Sequence, residues 1–206
     1  YFVEDLINSS FYRFNEKSKK MTVHFESEIF NRPIETEMSL LGKMQAQNAA
    51  QAAITIKKIF PNMDEAIIER GLAKAKLPGR FEIIENIPGY QGLPALILDG
   101  AHTLNSIHLT IDTFNKLYGE AKVNLLFACA ADKDVEDMAK FFKYRFDHIY
   151  VTRPGEKKQS DLNKEIKAFK DADLSFTADP DYKMMIKKAF EDSAKNGSLL
   201  LVTGSF

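Results

Sequence analysis

The order of apolar and polar positions divides the chain into two parts with different periodicities. In residues 1–40, short aromatic-rich runs such as residues 21–25 are separated by polar turns, which favours antiparallel strands or a meander. From Met44 to Phe60, alanine and isoleucine recur at helical spacing, and a second helix is predicted over residues 64–76. Pro78-Gly79 then interrupts the pattern, and we place a domain boundary there.

Beyond residue 80, strand-like and helical segments alternate regularly. Continuous apolar runs predict buried strands, and helical periodicity predicts the segments between them. The strands are expected at residues 81–87, 93–98, 123–130, 148–152, 174–178 and 198–203, and the helices at 105–118, 134–146, 160–169 and 181–195. This alternation predicts an α/β domain with a Rossmann-like, doubly wound and mostly parallel sheet.

Composition and charge exclude some classes of function. A net charge of -1 gives no surplus of positive charge for nucleic acid or for an anionic membrane, and no apolar run is long enough to cross a bilayer. The single cysteine, Cys129, lies in an apolar run, so we expect a buried side chain and a reducing, cytoplasmic setting. The chain starts without methionine and ends inside a predicted strand, and we therefore expect a fragment of a longer protein.

Candidate chemistry lies where predicted strands end, because ligands of open α/β sheets bind beyond the carboxyl ends of the strands. The strand at 93–98 is followed by Asp99-Gly100-Ala101-His102. Asp99 could accept hydrogen bonds from a ribose or hold a cation, but position alone slightly favours a turn or N-cap residue. His102 could bind a carboxylate or a phosphate, whereas a histidine in a turn is more often a surface or structural residue.

Two other segments offer groups for anion binding. Arg80 follows Pro78-Gly79, and its planar guanidinium could clamp an anion, although an isolated arginine is more often a solvated surface residue. Thr203-Gly204-Ser205 offers hydroxyl and backbone donors, but small residues also simply end strands. The sequence contains no complete phosphate-binding loop, no Gly-x-Gly-x-x-Gly motif and no cysteine–histidine pair with zinc spacing.

Four motifs in register resemble the folylpolyglutamate synthase / dihydrofolate synthase family of the Mur ligase superfamily. Pro78-Gly79-Arg80, Leu98-Asp99-Gly100-Ala101-His102 and the terminal Val202-Thr203-Gly204-Ser205-Phe206 follow the family's order. Residues 41–50 are similar to its Gly-x-His-Gln-x-x-Asn-Ala-Ala segment, and the resemblance runs from about Leu40 to the end.

The resemblance implies a division into two domains. Residues 1–77 would be the C-terminal part of the central ATPase domain, and residues 78–206 would be the Mur ligase C-terminal Rossmann-like domain. The family's phosphate loop and most of its magnesium ligands would lie in an N-terminal part outside this chain. We therefore assign no metal ligand to these residues and expect the fragment alone to be inactive.

The resemblance also implies roles for single residues. Asn48, Arg80 and Asp99 match positions that contact the nucleotide, and Arg80 would reach the ATP phosphates. His102 and Ser205 match positions associated with the incoming glutamate, and Arg80 and His102 would take part in catalysis.

The implied reaction is ATP-dependent addition of L-glutamate to a folate or pteroate carboxylate through an acyl phosphate. The expected cofactors are ATP and Mg²⁺, and the expected partners are small molecules bound by a monomeric enzyme, without nucleic acid or membrane. Met44, Leu77 and Thr103 depart from the family pattern, which leaves open whether dihydrofolate is also made. Two alternatives stay open: a Mur ligase acting on peptidoglycan precursors, and a Rossmann-like binding module without chemistry.

Overall fold

The chain forms two compact units. A computed structural model describes residues 3–143, 145–156 and 158–204. The first unit holds the chain up to Leu77 together with Asp112–Gly119, and the second holds Pro78–Ile111 and the chain from Glu120 onward.

The first unit begins with a short 3-10 helix, Val3–Leu6, followed by a three-stranded antiparallel sheet. Its strands are β1 (Ser9–Asn15), β2 (Lys20–Glu26) and β3 (Ile34–Met38), and β2 pairs with both neighbours. Met21, Val23 and Phe25 of β2 are almost fully buried, and the residues between them are more exposed. This period of two is that of a strand with one buried face, and it confirms the meander predicted for residues 1–40.

Two helices complete the first unit, α1 (Lys43–Ile59) and α2 (Glu65–Lys74). Ala49, Ala50, Ala53 and Ile54 lie on the buried side of α1. The Asp64 side chain caps α2 by accepting the Ala66 N–H at 2.8 Å. A buried ion pair joins the helices, with Lys57 Nζ 2.7 Å from Glu65 Oε1. Burial would raise the pKa of Glu65, but Lys57 and the Asn31 N–H outweigh it and lower this pKa to about 2.

A six-stranded sheet forms the centre of the second unit. Its strands are β4 (Glu82–Ile84), β5 (Leu96–Asp99), β6 (Val123–Ala128), β7 (His148–Val151), β8 (Phe176–Ala178) and β9 (Leu199–Gly204). They lie in the order β4-β5-β9-β6-β7-β8; β4 is antiparallel to β5, and the other neighbouring pairs are parallel. Every residue of β6 is buried, as in a central parallel strand. The mostly parallel α/β fold predicted from the sequence is confirmed.

Four helices connect these strands. They are α3 (Leu104–Tyr118), α4 (Val135–Phe142), α5 (Leu162–Asp171) and α6 (Tyr182–Asn196). Aspartate side chains cap α4, α5 and α6, and α6 ends at Gly197 in the left-handed conformation. In the described part of the chain, no helix has both the length and the apolar composition needed to cross a bilayer.

Three predicted element boundaries are wrong. The strand expected at 81–87 is reduced to β4, because Phe81 and Asn86 on either side of it have left-handed backbone. The helix expected to reach residue 146 ends at Phe142, since the chain then turns so that the Asp147 carboxylate accepts the Val123 N–H at 2.7 Å. The strand expected from Leu93 begins only at Leu96, because the preceding residues form a turn.

Candidate functional site

The candidate site lies at the edge of the six-stranded sheet where its parallel strands end. The strand register places the following residues in one row across the sheet: Asp99, Thr203, Phe127, Val151 and Ala178. The chain therefore leaves all five parallel strands on the same side. We call this side the carboxyl edge and include in it residues 99–106, 128–134, 152–155 and 203–204, together with the linker residues 79–82 bonded to it.

Asp99 ties the linker to the sheet. Its Oδ2 accepts the Phe81 N–H at 2.7 Å, and its Oδ1 accepts the Ala101 N–H and the Thr110 hydroxyl, each at 2.9 Å. Burial raises the pKa of Asp99, although these hydrogen bonds and the Arg80 guanidinium oppose the rise. Since a carboxylate offers about four acceptor positions, roughly one remains for a ligand.

The linker that Asp99 holds is strained. Phe81 has φ 48 and a buried ring, and a left-handed backbone costs a non-glycine residue about 1 kcal/mol. Two further hydrogen bonds fix the same segment, because Gly79 O accepts the Gly100 N–H at 2.9 Å and the Gly79 N–H donates to Glu82 Oε2 at 2.9 Å. Hydrogen bonds of the residues before and after Arg80 therefore fix its backbone position.

Arg80 lies against Gly100, which has no side chain to displace the guanidinium. A Cβ on Gly100 would stand 2.9 Å from Arg80 Nη1, so a larger residue there would displace the guanidinium. The Arg80 side chain is exposed and makes no ion pair with any carboxylate in the described part of the chain. Among the described residues, the guanidinium thus stays available as a positive, bidentate donor.

His102 is oriented by the turn that follows Asp99. Its Nδ1 lies 2.8 Å from Gly100 O, and because a carbonyl can only accept, Nδ1 carries the proton and Nε2 of the neutral ring is an acceptor. Thr103 and Ser106 next to it form a reciprocal cap at the start of α3: Ser106 Oγ accepts the Thr103 N–H at 3.0 Å, and Thr103 Oγ1 accepts the Ser106 N–H at 3.3 Å. Thr103 therefore serves as the cap of α3.

The last strand, β9, ends at Gly204, where the neighbouring backbone leaves no space for a side chain. Gly204 has φ 121, and a Cβ there would lie 1.9 Å from the Ala128 carbonyl oxygen. One residue earlier, the Thr203 hydroxyl donates to Ala101 O at 3.2 Å and joins β9 to the turn after Asp99. Glycine at position 204 thus lets β6 and β9 stay paired to the end of the sheet.

The loop after β6 adds a charged pair to the edge. Lys133 Nζ lies 2.9 Å from Asp132 Oδ2, and this contact lowers the pKa of Asp132, with a small contribution from His102. The loops after β7 and β8 surround an open cavity of about 920 Å³, whose lining includes the basic residues Arg153 and Lys183. The same lining includes the acidic residues Glu156 and Asp181, so its charge is mixed.

A buried acidic residue packs behind the loop after β6. Glu165 of α5 is 1% exposed, and neither of its carboxyl oxygens has a hydrogen-bond partner in the described part of the chain. Burial raises the pKa of Glu165 to about 8, although the backbone N–H and the thiol of Cys129, which lie nearby but outside hydrogen-bonding geometry, oppose the rise. Burial also raises the pKa of Cys129 far above its usual range, so Cys129 is the buried, unreactive side chain predicted from the sequence.

The sequence-predicted site residues fall into three groups. Arg80, Asp99 and His102 come together at the carboxyl edge of the second unit. Asn48 lies exposed on α1 of the first unit, where its side-chain N–H donates to Gln45 Oε1 at 3.3 Å. Ser205 lies outside the described residues.

The structure adds Thr110, Ser106 and the Phe81 N–H, which sequence reasoning missed. The only signal for them was a serine and a threonine spaced four apart on the helix after Asp99. Among the described residues, no group of three or more histidine, cysteine, aspartate or glutamate side chains is arranged to hold a metal ion.

Comparison with protein families places a known domain over most of the chain. Residues 79–206 match the Mur ligase family domain described as "Mur ligase, glutamate ligase domain". The dihydrofolate synthase/folylpolyglutamate synthase of Bacillus subtilis is 26% identical over 172 residues, which cover 81% of this chain and 38% of that protein. The chain thus spans under two fifths of the length of this relative.

Two further matches are to proteins with different names. The UDP-N-acetylmuramoyl-L-alanyl-D-glutamate–2,6-diaminopimelate ligase of Prochlorococcus marinus is 29% identical over 143 residues, covering 65% of this chain and 27% of that protein. The solved structure of Mycobacterium tuberculosis folylpolyglutamate synthase complexed with ADP has a TM-score of 0.70 at 22% identity, and the match covers 90% of this chain and 42% of that one. At this identity the structural match supports the fold alone.

Proposed function

The chain belongs to the Mur ligase family, and from this premise we propose that the complete protein is an ATP-dependent ligase that joins L-glutamate to a folate or pteroate carboxylate. The observation that carries the proposal is the Arg80 guanidinium, which lies beside Asp99 at the carboxyl edge and makes no ion pair with a described carboxylate. Phosphoryl transfer needs positive charge fixed in advance near the transferring group, and this arrangement can supply it.

We propose the following domain assignment for the chain. Residues 1–77 would close the central ATPase domain, and residues 78–206 would form the C-terminal glutamate ligase domain. The phosphate loop would belong to the part of the complete protein that its relatives have and this chain lacks. Mg²⁺, bound mostly by that part, would neutralise the phosphates of ATP.

Arg80 and Asp99 would act on the nucleotide in different ways. The fork of Arg80 would bind the phosphoryl oxygens, on which negative charge develops as the folate carboxylate attacks. The free acceptor position of Asp99 would take a ribose hydroxyl, and the exposed amide of Asn48 would contact the nucleotide from α1. Closure of the two domains around ATP would bring these groups together.

His102 would act in the second half of the reaction. In the proposed step the glutamate amine attacks the acyl phosphate, a C–N bond forms and the C–O bond to phosphate breaks. His102 Nε2, which the contact between Nδ1 and Gly100 O leaves as an acceptor, would take the proton that the amine loses. The Ser205 hydroxyl would bind the glutamate, and all substrates would be small molecules bound by a monomeric, cytoplasmic enzyme.

The test is substrate-dependent ADP release by the complete protein. With ATP, Mg²⁺ and L-glutamate present, adding a reduced folate or dihydropteroate should start ADP release and yield a product one glutamate heavier. Turnover with a UDP-N-acetylmuramoyl peptide but none with folates would overturn the folate assignment in favour of the second candidate, which the match to a diaminopimelate ligase supports.

The fragment offers a separate test of the domain assignment. The 206-residue chain alone should release no ADP under the same conditions, because it lacks the phosphate loop. Ligation by the fragment would contradict the assignment. A complete protein that binds no nucleotide and releases no ADP would instead support the binding-module alternative.

A further inference from the structure

The Thr110 hydroxyl has two acceptors within reach. Thr110 is buried on α3, and its Oγ1 lies 2.9 Å from Asp99 Oδ1 and 2.9 Å from the Ser106 carbonyl oxygen. A helical threonine ordinarily donates to the carbonyl four residues before it, which here is that of Ser106. A hydroxyl has one proton, and an ionised carboxylate is the stronger acceptor, so the proton goes to Asp99 when Asp99 is charged.

We propose that Thr110 is a positioning residue that fixes the Asp99 carboxylate so that one acceptor position on Oδ2 stays free for a ligand hydroxyl. Oδ1 is filled by Thr110 and Ala101, and Oδ2 carries only the Phe81 N–H among the described residues. The ligand hydroxyl would be that of a nucleotide ribose, and in this respect the inference rests on the proposed function.

The three donors to Asp99 come from three separate segments. Phe81 lies on the linker, Ala101 in the turn after β5, and Thr110 on α3. Two of these donors are backbone N–H groups that a substitution leaves in place, so Thr110 is the side chain through which the orientation of Asp99 can be altered. Without the Thr110 hydroxyl, Oδ1 keeps one hydrogen bond, and two backbone N–H groups instead of three donors hold the carboxylate.

The same contact affects the charge of Asp99. Burial raises the pKa of Asp99, the Thr110 hydrogen bond opposes that rise most strongly, and Arg80 is the charged group that acts on Asp99. Removing the hydroxyl should therefore raise the pKa of Asp99 further. A protonated Asp99 is a poorer acceptor, so nucleotide binding by such a variant should weaken at a higher pH than in the wild type.

The first test measures ADP affinity of the complete protein by calorimetry from pH 5 to pH 8. Thr110→Val keeps the shape of the side chain and removes the hydroxyl, and it should weaken binding about tenfold at pH 7, as expected for a lost hydrogen bond to a charged group. As the pH is lowered, its affinity for ADP should also begin to fall at a higher pH than that of the wild type. Thr110→Ser restores the hydroxyl and should restore both properties.

Ser193→Ala is the matched control. The buried Ser193 hydroxyl accepts a hydrogen bond from the Asn124 side chain at 2.9 Å, far along the chain from Asp99, so its loss should leave ADP affinity unchanged at every pH. Equal effects of Thr110→Val and Ser193→Ala on affinity and on its pH dependence would overturn the proposal. Failure of Thr110→Ser to restore binding would also overturn it.

Thermal unfolding without ligand separates this inference from the proposed function. The melting temperature lost by Thr110→Val should be larger at pH 7 than at pH 4, because the hydroxyl stabilises the ionised carboxylate. The loss caused by Ser193→Ala should be the same at both pH values. If the wild-type protein binds no ADP, the proposed function is refuted. The melting curves then still test whether Thr110 stabilises the ionised Asp99 carboxylate. If Thr110→Val does not fold, Thr110→Ala provides the same measurements.

Discussion

The two edges of the six-stranded sheet both carry polar clusters, but they differ in how their charged groups are partnered. At the amino edge, where β6, β7 and β8 begin, a cavity of about 510 Å³ is lined by polar side chains. Half of these are bonded to one another: His148 with Thr177 at 2.8 Å, Tyr150 with Asp192 at 2.7 Å and Lys188 with Asp192 at 3.0 Å. Asn124 donates to Ser193, outside the lining, at 2.9 Å.

The charges at the amino edge are also balanced internally. Burial lowers the pKa of His148, so its ring is neutral at physiological pH. Burial and the Asp192 carboxylate together raise the pKa of Tyr150, which keeps its phenol a donor. Burial would raise the pKa of Asp192, but the Tyr150 and Lys188 contacts outweigh it and lower this pKa, so the carboxylate stays charged and paired.

The carboxyl edge is built in the opposite way. Arg80 has no carboxylate partner in the described chain, Asp99 keeps a free acceptor position, and Phe81 and Gly204 hold left-handed backbone. Strained backbone such as that of Phe81 is found often at ligand-binding sites. A charged donor and a carboxylate acceptor position without partners among the described residues therefore make the carboxyl edge the stronger candidate site.

The largest effect should come from Gly204→Ala. The new Cβ would overlap the Ala128 carbonyl oxygen in a backbone conformation that alanine avoids, so we expect a loss of about 3 kcal/mol or more of unfolding free energy. Chemical denaturation of the complete protein measures it. Gly71→Ala is the control, because a Cβ added at Gly71 of α2 would meet no neighbouring atom within 4 Å. This change should stabilise the protein slightly. Similar stability of the two variants would contradict the tight approach of β6 and β9.

Arg80→Ala should reduce ligation about 100-fold or more while leaving stability nearly unchanged. The exposed side chain makes no ion pair with a described carboxylate, so its removal disturbs little of the fold, whereas the proposed transition state loses a charged donor. Steady-state ADP release measures the effect. Arg80→Lys keeps the charge but not the fork and should recover only part of the rate. Full activity of Arg80→Ala would place the catalytic charge elsewhere.

Glu165→Gln should make the protein more stable in alkaline solution. The pKa of Glu165 is about 8 in the folded chain against a usual value of 4.5, so the unfolded state releases its proton first and wild-type stability falls as the pH rises from about 4.5 to 8. Glutamine does not titrate, so its melting temperature should exceed that of the wild type by about 5 °C at pH 8.5.

The pH dependence is what distinguishes this result from a general stabilisation. The difference between Glu165→Gln and wild type should grow between pH 5 and pH 8 and then level off. Glu191→Gln, on an exposed part of α6, should melt in parallel with the wild type. Parallel curves for both variants would mean that the Glu165 carboxyl has a partner in solution.

Tyr150→Phe should have the smallest effect and should test the amino edge. It removes one hydrogen bond to Asp192, which keeps its contact with Lys188, so we expect about 1 kcal/mol of lost stability and unchanged ligation. Chemical denaturation and the ligation assay measure the two quantities. A large loss of ligation at unchanged stability would mean that the amino edge, too, takes part in function.

Part of this comparison could be predicted from the sequence. The alternation of apolar runs and helical segments predicts the sheet, and the rule that ligands bind at carboxyl ends of strands selects Asp99 and His102. The bond between Asp99 and the Phe81 N–H could not be predicted, because it depends on a left-handed residue 18 positions away in the chain. Thr110 was missed for a similar reason, since its partner lies on another element.

The burial of Glu165 could not be predicted from the sequence either. The sequence around it is Leu162-Asn163-Lys164-Glu165-Ile166, in which charged and polar residues are typical of an exposed helix. Which of these positions faces the sheet is decided by how α5 packs on β7 and α4, and tertiary packing of this kind overrides local propensity. The relation of Asn48 to the other site residues stays a prediction, since Asn48 belongs to the first unit.

The most direct test compares one aspartate from each edge. Calorimetric titration of the complete protein with ADP should show that Asp99→Asn weakens binding about tenfold or more, because asparagine offers fewer acceptor positions, while Asp192→Asn binds as the wild type does. This result would locate nucleotide binding at the carboxyl edge. Equal affinity in both variants, or a loss confined to Asp192→Asn, would contradict the account.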